Sequence, residues 1–171
     1  SNQVAALTTA QVKALTTAQV VALTTDQVDK FSTAQLAALS TAQVAAMETA
    51  DFAKLTTEQV ASLSATQFKA LKTSQIESLT TAQANALTTS QIAALSSAQM
   101  KAVETADLAA MTTTQIRAIS SANVAAMSTL QVNKMTTDQV ASLSNSQMQA
   151  LTTAQVTGMA SAQVKALTTA Q

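Results

Sequence analysis

A large apolar residue recurs at every eighth position of this chain. The series runs through Leu7, Leu15, Leu23, Phe31, Leu39 and Met47 to Leu167, 21 occurrences without one insertion. A second apolar position follows each of these five residues later, as at Val12, Val20, Phe52 and Phe68. The residues between are polar or small, and the consensus octad reads L-T-T-A-Q-V-A-A. Self-similarity of this strictness specifies a repeat array rather than a globular domain. Residues 1–171 are therefore read as a single array.

Each octad carries two helix-start signals. Thr8 and Gln11 have the spacing of a capping box, in which a hydroxyl and an amide satisfy two free backbone N–H groups. Thr16 with Gln19 and Thr56 with Gln59 repeat it. Leu7 then precedes the cap and Val12 is the fourth helical residue, the arrangement of a hydrophobic staple. The next start signal comes eight residues later, so the helices are very short. Isolated helices of that length are unstable in water. They hold only if neighbouring coils cover each other's apolar residues. The predicted fold is all-α: a solenoid or superhelix with one helix per octad, stacked around a continuous apolar core that includes Leu7, Val12, Leu15, Val20, Phe52 and Phe68.

One long helix is excluded. At about 100° per residue, eight residues overshoot two turns by about 80°, so no fixed apolar stripe survives. A β-solenoid is the rival, because eight is even and Thr and Val favour strands. Yet Leu7 and Val12 are separated by an odd number of residues, which puts them on opposite faces of a strand. Turn glycines are also missing, with Gly158 the single Gly of the chain.

On a helical wheel centred on Val12, Thr8, Thr9 and Leu15 fall on the inner and flanking arc. Ala10, Lys13 and Ala14 fall outside. Thirteen of the 18 charged residues occupy these three outer phases, the distribution of a solvated face. The number of helices per coil is not fixed by the octad. Asp26, Glu58 and Asp138 are separated by even numbers of octads, which hints at two.

Composition removes most chemistry. Nine basic residues balance nine acidic ones, and aromatics make up 2% of the chain, so no nucleic-acid surface is expected. His and Cys are both absent. That takes away the usual proton carrier, thiol nucleophile and soft metal ligands. No apolar run approaches the roughly 20 residues of a membrane span, so membrane insertion is not expected. No cofactor is implied and no enzyme activity is expected. The array opens at Ser1 and closes at Gln171, both part-way through a repeat. Solenoids close their cores with polar caps, so the segment is expected to belong to a longer array and to associate end to end.

Gln occupies its octad position from Gln3 to Gln171 except at Asp51, Asp107 and Asn123. Its expected role is the capping box, joined by an amide ladder between stacked coils. At Glu48-Thr-Ala-Asp51 and Glu104-Thr-Ala-Asp107 both box residues become acidic. Two readings are open. One is an alternative helix start with Thr49 or Thr105 as the cap. The other is a calcium ion, which needs six to eight oxygens. A hydroxyl lattice of the ice-binding kind is a further possibility, opposed by the inner placement of Thr.

The octad resembles tandem repeats of long bacterial secreted or surface proteins of the adhesin-like type, for example over Leu7–Leu23 and Leu151–Gln155. The resemblance implies an extended spacer or surface-layer role in an extracellular setting, and carries over no catalytic or ligand residue. Calcium-binding nonapeptides of such proteins need Gly and Asp rows that this chain lacks. The leading expectation is thus a structural scaffold: a spacer, a stalk or a self-assembling segment. The alternative is a protein- or glycan-binding module that uses the outer surface.

Overall fold

The computed structural model describes residues 2–169 and 171, so Ser1, where the array opens, lies outside the described residues. Helices of four to six residues follow one another at the octad interval. In chain order they begin with α1 (Asn2–Ala5), α2 (Thr9–Ala14), α3 (Thr17–Val21), α4 (Thr25–Val28), α5 (Thr33–Ala38), α6 (Thr41–Ala46) and α7 (Thr49–Lys54). Next are α8 (Thr57–Ser62), α9 (Ala65–Lys69), α10 (Thr73–Glu77), α11 (Thr81–Ala86), α12 (Thr89–Ala94), α13 (Ser97–Ala102) and α14 (Thr105–Ala110). The series ends with α15 (Thr113–Arg117), α16 (Ser121–Ala126), α17 (Thr129–Lys134), α18 (Thr137–Ala141), α19 (Asn145–Ala150), α20 (Thr153–Thr157) and α21 (Ser161–Lys165). No strand occurs among the described residues. The fold is an all-helical solenoid.

Each helix from α4 to α18 packs on the helix three places before it and the helix three places after it. One coil therefore holds three helices, one from each of three octads, and the hint of two per coil is corrected. The acidic residues that suggested it sit on the outer surface and do not pack between coils. Three columns result. One runs α1, α4, α7 to α19, a second α2, α5, α8 to α20, and the third α3, α6, α9 to α21. With helix layers about 8–10 Å apart, roughly seven coils make a rod of roughly 60–70 Å.

The corners explain why the chain needs almost no glycine. Leu15 (φ −60°, ψ 139°) and Thr16 (φ −75°, ψ 159°) are two consecutive extended residues between α2 and α3. These angles are close to polyproline II, open to any L-residue. No described residue has positive φ.

The core is one continuous cluster built from the two apolar phases. Val12, Phe52 and Phe68 are fully buried, and Val20 nearly so. Leu7 and Leu15 are only partly buried, because the first coil has no layer beneath it. At the other end Val156 and Val164 are 47% and 49% exposed, whereas Val12 of the first coil is 0% exposed. The Val phase thus faces the next coil up the chain, which the last coil lacks. The rod has two chemically different ends.

The solvent face differs from the helical wheel in one respect. Thr8 and Thr9, placed on the inner and flanking arc, are exposed, and the Gln row is buried in their stead from Gln35 to Gln163. A wheel assumes a lone helix. Here the inner face is set by the coils above and below, which take up the Gln side of each short helix.

Candidate functional site: the glutamine rows between coils

From Gln35 to Gln163 each Gln of the row is the third residue of its helix and uses both ends of its amide. The Oε1 end closes the capping box. Thr8 N donates to Gln11 Oε1 at 2.8 Å and Gln11 N donates to Thr8 Oγ1 at 3.2 Å. Thr16 with Gln19 repeats these contacts at 2.8 and 3.2 Å, and Thr56 with Gln59 at 2.6 and 3.2 Å. Lys72 and Ala160 cannot accept through a side-chain hydroxyl, and there only the Gln arm remains, at 2.9 and 2.8 Å.

The Nε2 end reaches the coil below. Gln43 donates to Leu15 O at 2.6 Å and to Val12 O at 3.1 Å, respectively 28 and 31 residues back. Gln59 reaches Phe31 O at 2.7 Å, and Gln67 reaches Leu39 O and Leu36 O at 2.7 and 2.9 Å. The corner carbonyls of Leu15, Phe31 and Leu39 have no partner within their own helix, whereas Val12 O and Leu36 O, in the last turn, also accept from Leu15 N and Leu39 N at 3.2 Å. The same contact recurs to Gln163 on Met135 O and Gln171 on Leu143 O, at 2.7 and 2.8 Å. Each amide thus starts one helix and finishes another one coil below. Because both ends are satisfied, burial of the Gln side chains carries no unmet polar cost. Gln11 and Gln19 belong to the first coil, have no coil beneath, and are exposed.

Three positions break the row. Thr25 donates to Asp51 Oδ1 at 2.7 Å, and Ser97 donates to Asn123 Oδ1 at 3.0 Å. Asn123 still supports the ladder, with Nδ2 to Leu95 O at 2.7 Å. Burial raises the Asp107 carboxyl above the usual aspartate range; Thr81 opposes this and Glu104 adds to it. The alternative-start reading of the Glu-x-x-Asp segments is corrected. Glu48 and Glu104 are themselves the N-caps, and Thr49 and Thr105 are first helical residues. The stacking register holds each helix start in phase even where the cap hydroxyl is lost. As for calcium, no group of three or more His, Cys, Asp or Glu comes together among the described residues.

The outer surface is shallow. A depression of about 580 Å³ between coils is bordered by Thr9, Lys13, Ser40 and Ser64. It joins hydroxyls to one amine, with no carboxylate or imidazole for proton transfer. On another part of the surface, the Glu58 carboxyl is held below its ordinary range by its own backbone N–H and by the Thr56 and Thr57 hydroxyls.

Two features were not read from the sequence. Asn85 donates upward to Ala110 O at 2.6 Å and Asn133 to Gly158 O at 2.7 Å, a second kind of link between coils. They occupy one octad phase and lie two coils apart, which is the signal that could have found them. The fold also sets Lys69, Arg117 and Lys165, each the last residue of its helix, along the α3-to-α21 column at every second coil. In sequence these cations look scattered.

The octads match the family model described as the ALTTAQ repeat, over residues 1–33, 29–57, 44–81, 100–137 and 125–153. These matches cover well over half of the chain. The chain belongs to the ALTTAQ repeat family. The hexapeptide of that name occurs here as Ala14–Gln19. It comprises the end of α2, the Leu15 corner, the Thr16 cap and the Gln19 amide. The ALTTAQ unit is thus the corner and its capping box. No curated protein and no solved structure matches the chain.

Proposed function

We propose that this array of ALTTAQ repeats is a structural scaffold, a rigid spacer or stalk within a larger extracellular bacterial protein, and not a catalyst. The observation that carries this reading is the glutamine ladder. Almost every buried polar side chain of the interior serves to join one coil to the next. The extracellular setting is supported by the resemblance of the octad to repeats of secreted and surface proteins.

An isolated segment of residues 1–171 is proposed to associate end to end through the faces it leaves uncovered. Its first coil offers the free amides of Gln11 and Gln19 and the partly covered Leu7 and Leu15. Its last coil offers exposed Val156 and Val164. The carbonyls of Leu151 and Met159 lie there in the phase that accepts a Gln amide elsewhere. Donors and acceptors match in a head-to-tail sense, an open heterologous contact that makes linear chains. Sedimentation velocity over a concentration series tests this. Wild type should form longer species as concentration rises, and Val156→Asp with Val164→Asp should remain monomeric. A wild-type chain monomeric throughout, or equal association of the variant, would contradict the reading.

A second reading rests on the Lys69, Arg117 and Lys165 column. Three cations on one side at two-coil spacing suit an extended polyanion such as an acidic glycan. Binding that weakens with salt, and is lost when all three become Gln, would support it.

A further inference from the structure

Among the described residues, Asp107 Oδ2 is the one buried side-chain oxygen or nitrogen that has no hydrogen-bond partner. Asp107 stands in the Gln row, where every other interior residue but Asp51 sends an N–H to the coil below. Its setting can be read against Asn123, which has the same shape. The two N-caps have nearly the same backbone, Glu104 at φ −65° and ψ 149°, Ser120 at φ −64° and ψ 151°. Both helices span six residues. Both end with one N–H shared by two carbonyls: Met111 N reaches Asp107 O and Leu108 O, and Met127 N reaches Asn123 O and Val124 O, all at 3.1–3.2 Å. Both also meet a hydroxyl 26 residues back, Thr81 for Asp107 and Ser97 for Asn123.

At Asn123 the hydroxyl takes one branch of the side chain. The other branch, Nδ2, donates to Leu95 O at 2.7 Å, 28 residues back. In the same register, the carbonyl 28 residues back from Asp107 is Leu79 O. That carbonyl receives no hydrogen bond among the described residues. In this register the joint between coils pairs two acceptors, where Asn123 and Leu95 O pair a donor with an acceptor. A single proton on Oδ2 converts the pair into a donor and an acceptor.

We propose that Asp107 is a proton-binding joint: as a neutral carboxylic acid it donates from Oδ2 to the Leu79 carbonyl and completes the ladder, and on ionisation it opens that rung.

The charges nearby are of both signs: Glu77, Lys101 and Glu104 border one depression beside the start of this helix. Glu104 stands at the cap of the same helix, and its charge disfavours a second carboxylate. Helix α11, beneath, has no ionisable side chain, and α17, above, has Lys134 in its last turn. Burial is the largest influence on the Asp107 carboxyl, and it favours the neutral form. A folded-state pKa raised above the unfolded one means that the folded array binds more protons. Stability from this joint is then present at low pH and is lost as pH rises from about 4, the ordinary aspartate value, through the folded value.

The test compares thermal melts of the full chain and Asp107→Asn from pH 4 to 8. The Asn amide donates at every pH, as Asn123 does. The variant should melt higher than wild type at pH 8, and the gap should close towards pH 4. Other acids titrate in both proteins and cancel. A gap that does not change with pH, or a wild type that is the more stable at pH 8, would overturn the proposal. The carboxyl carbon resonance of Asp107 in wild type gives a second reading that needs no variant. It should titrate above the ordinary aspartate range, and titration at or below that range would overturn the proposal as well.

Discussion

Gln91 donates from one nitrogen to Leu63 O and to Val60 O, both at 2.8 Å, while its oxygen accepts from Thr88 N at 2.8 Å. One side chain thus holds the end of α8, the corner after it and the start of α12. Replacing it with Ala at this fully buried site leaves the Thr88 N–H and the Leu63 carbonyl without partners and removes one of the two donors to Val60 O, which keeps Leu63 N at 3.2 Å. Gln91→Ala should cost about 2–4 kcal/mol, at about 1 kcal/mol or more per lost bond. Gln11→Ala loses only an exposed cap, for about 0.5–1 kcal/mol. Urea denaturation of the two variants measures the difference.

Adjacent positions of one helix should respond in opposite ways. Ile92 is 0% exposed and Ala93 is exposed. Ile92→Asp places an unpaired charge in the core and should destabilise by several kcal/mol. Ala93→Asp should stay within about 0.5 kcal/mol, since its octad phase already carries Asp29 and Glu77. Circular dichroism melts report both.

Length changes should be accepted only in whole octads. Removing Thr80 to Leu87 joins Leu79 to Thr88. Helices above the junction move to a new column but meet the same consensus partners. Removing Thr80 to Val103 takes out one coil and leaves every column intact. Both variants should keep one cooperative transition, with a loss in proportion to the interfaces removed. Removing Thr80 to Gln83 deletes a cap and its amide and puts the chain out of phase. It should give two weaker transitions, which differential scanning calorimetry resolves.

The helix starts were legible because Thr8-x-x-Gln11 acts within its own octad. The burial of Val12 was legible because apolar spacing reports which side faces inward. The count of three helices per coil was not. It depends on how Leu15 and Thr16 turn at the corner and on which coil Gln43 can reach, and the octad looks the same whether two or three of them complete a circuit. The place of Glu104 at the N-cap is hidden in the sequence because local cap preference favours Thr105, while the stack holds Thr105 in register as the first helical residue. The exposure of Thr8 and Thr9 was hidden for the same reason: a wheel describes one helix, and these helices have their inside defined by other coils.

The central claim is a stack in which three octads make one coil. The chain has no Cys, so spin labels can be placed without background at Val21, Lys69, Arg117 and Lys165. All four are exposed, lie in one column, and are spaced at every second coil. Pulsed electron–electron distance measurements from Val21 to each of the other three should give values in the ratio 1:2:3. The steps should be roughly 16–20 Å, two helix layers at about 8–10 Å each. Steps of roughly 24–30 Å, three such layers, would mean two helices per coil, and distances without a constant step would mean no continuous stack. Either result would contradict the account.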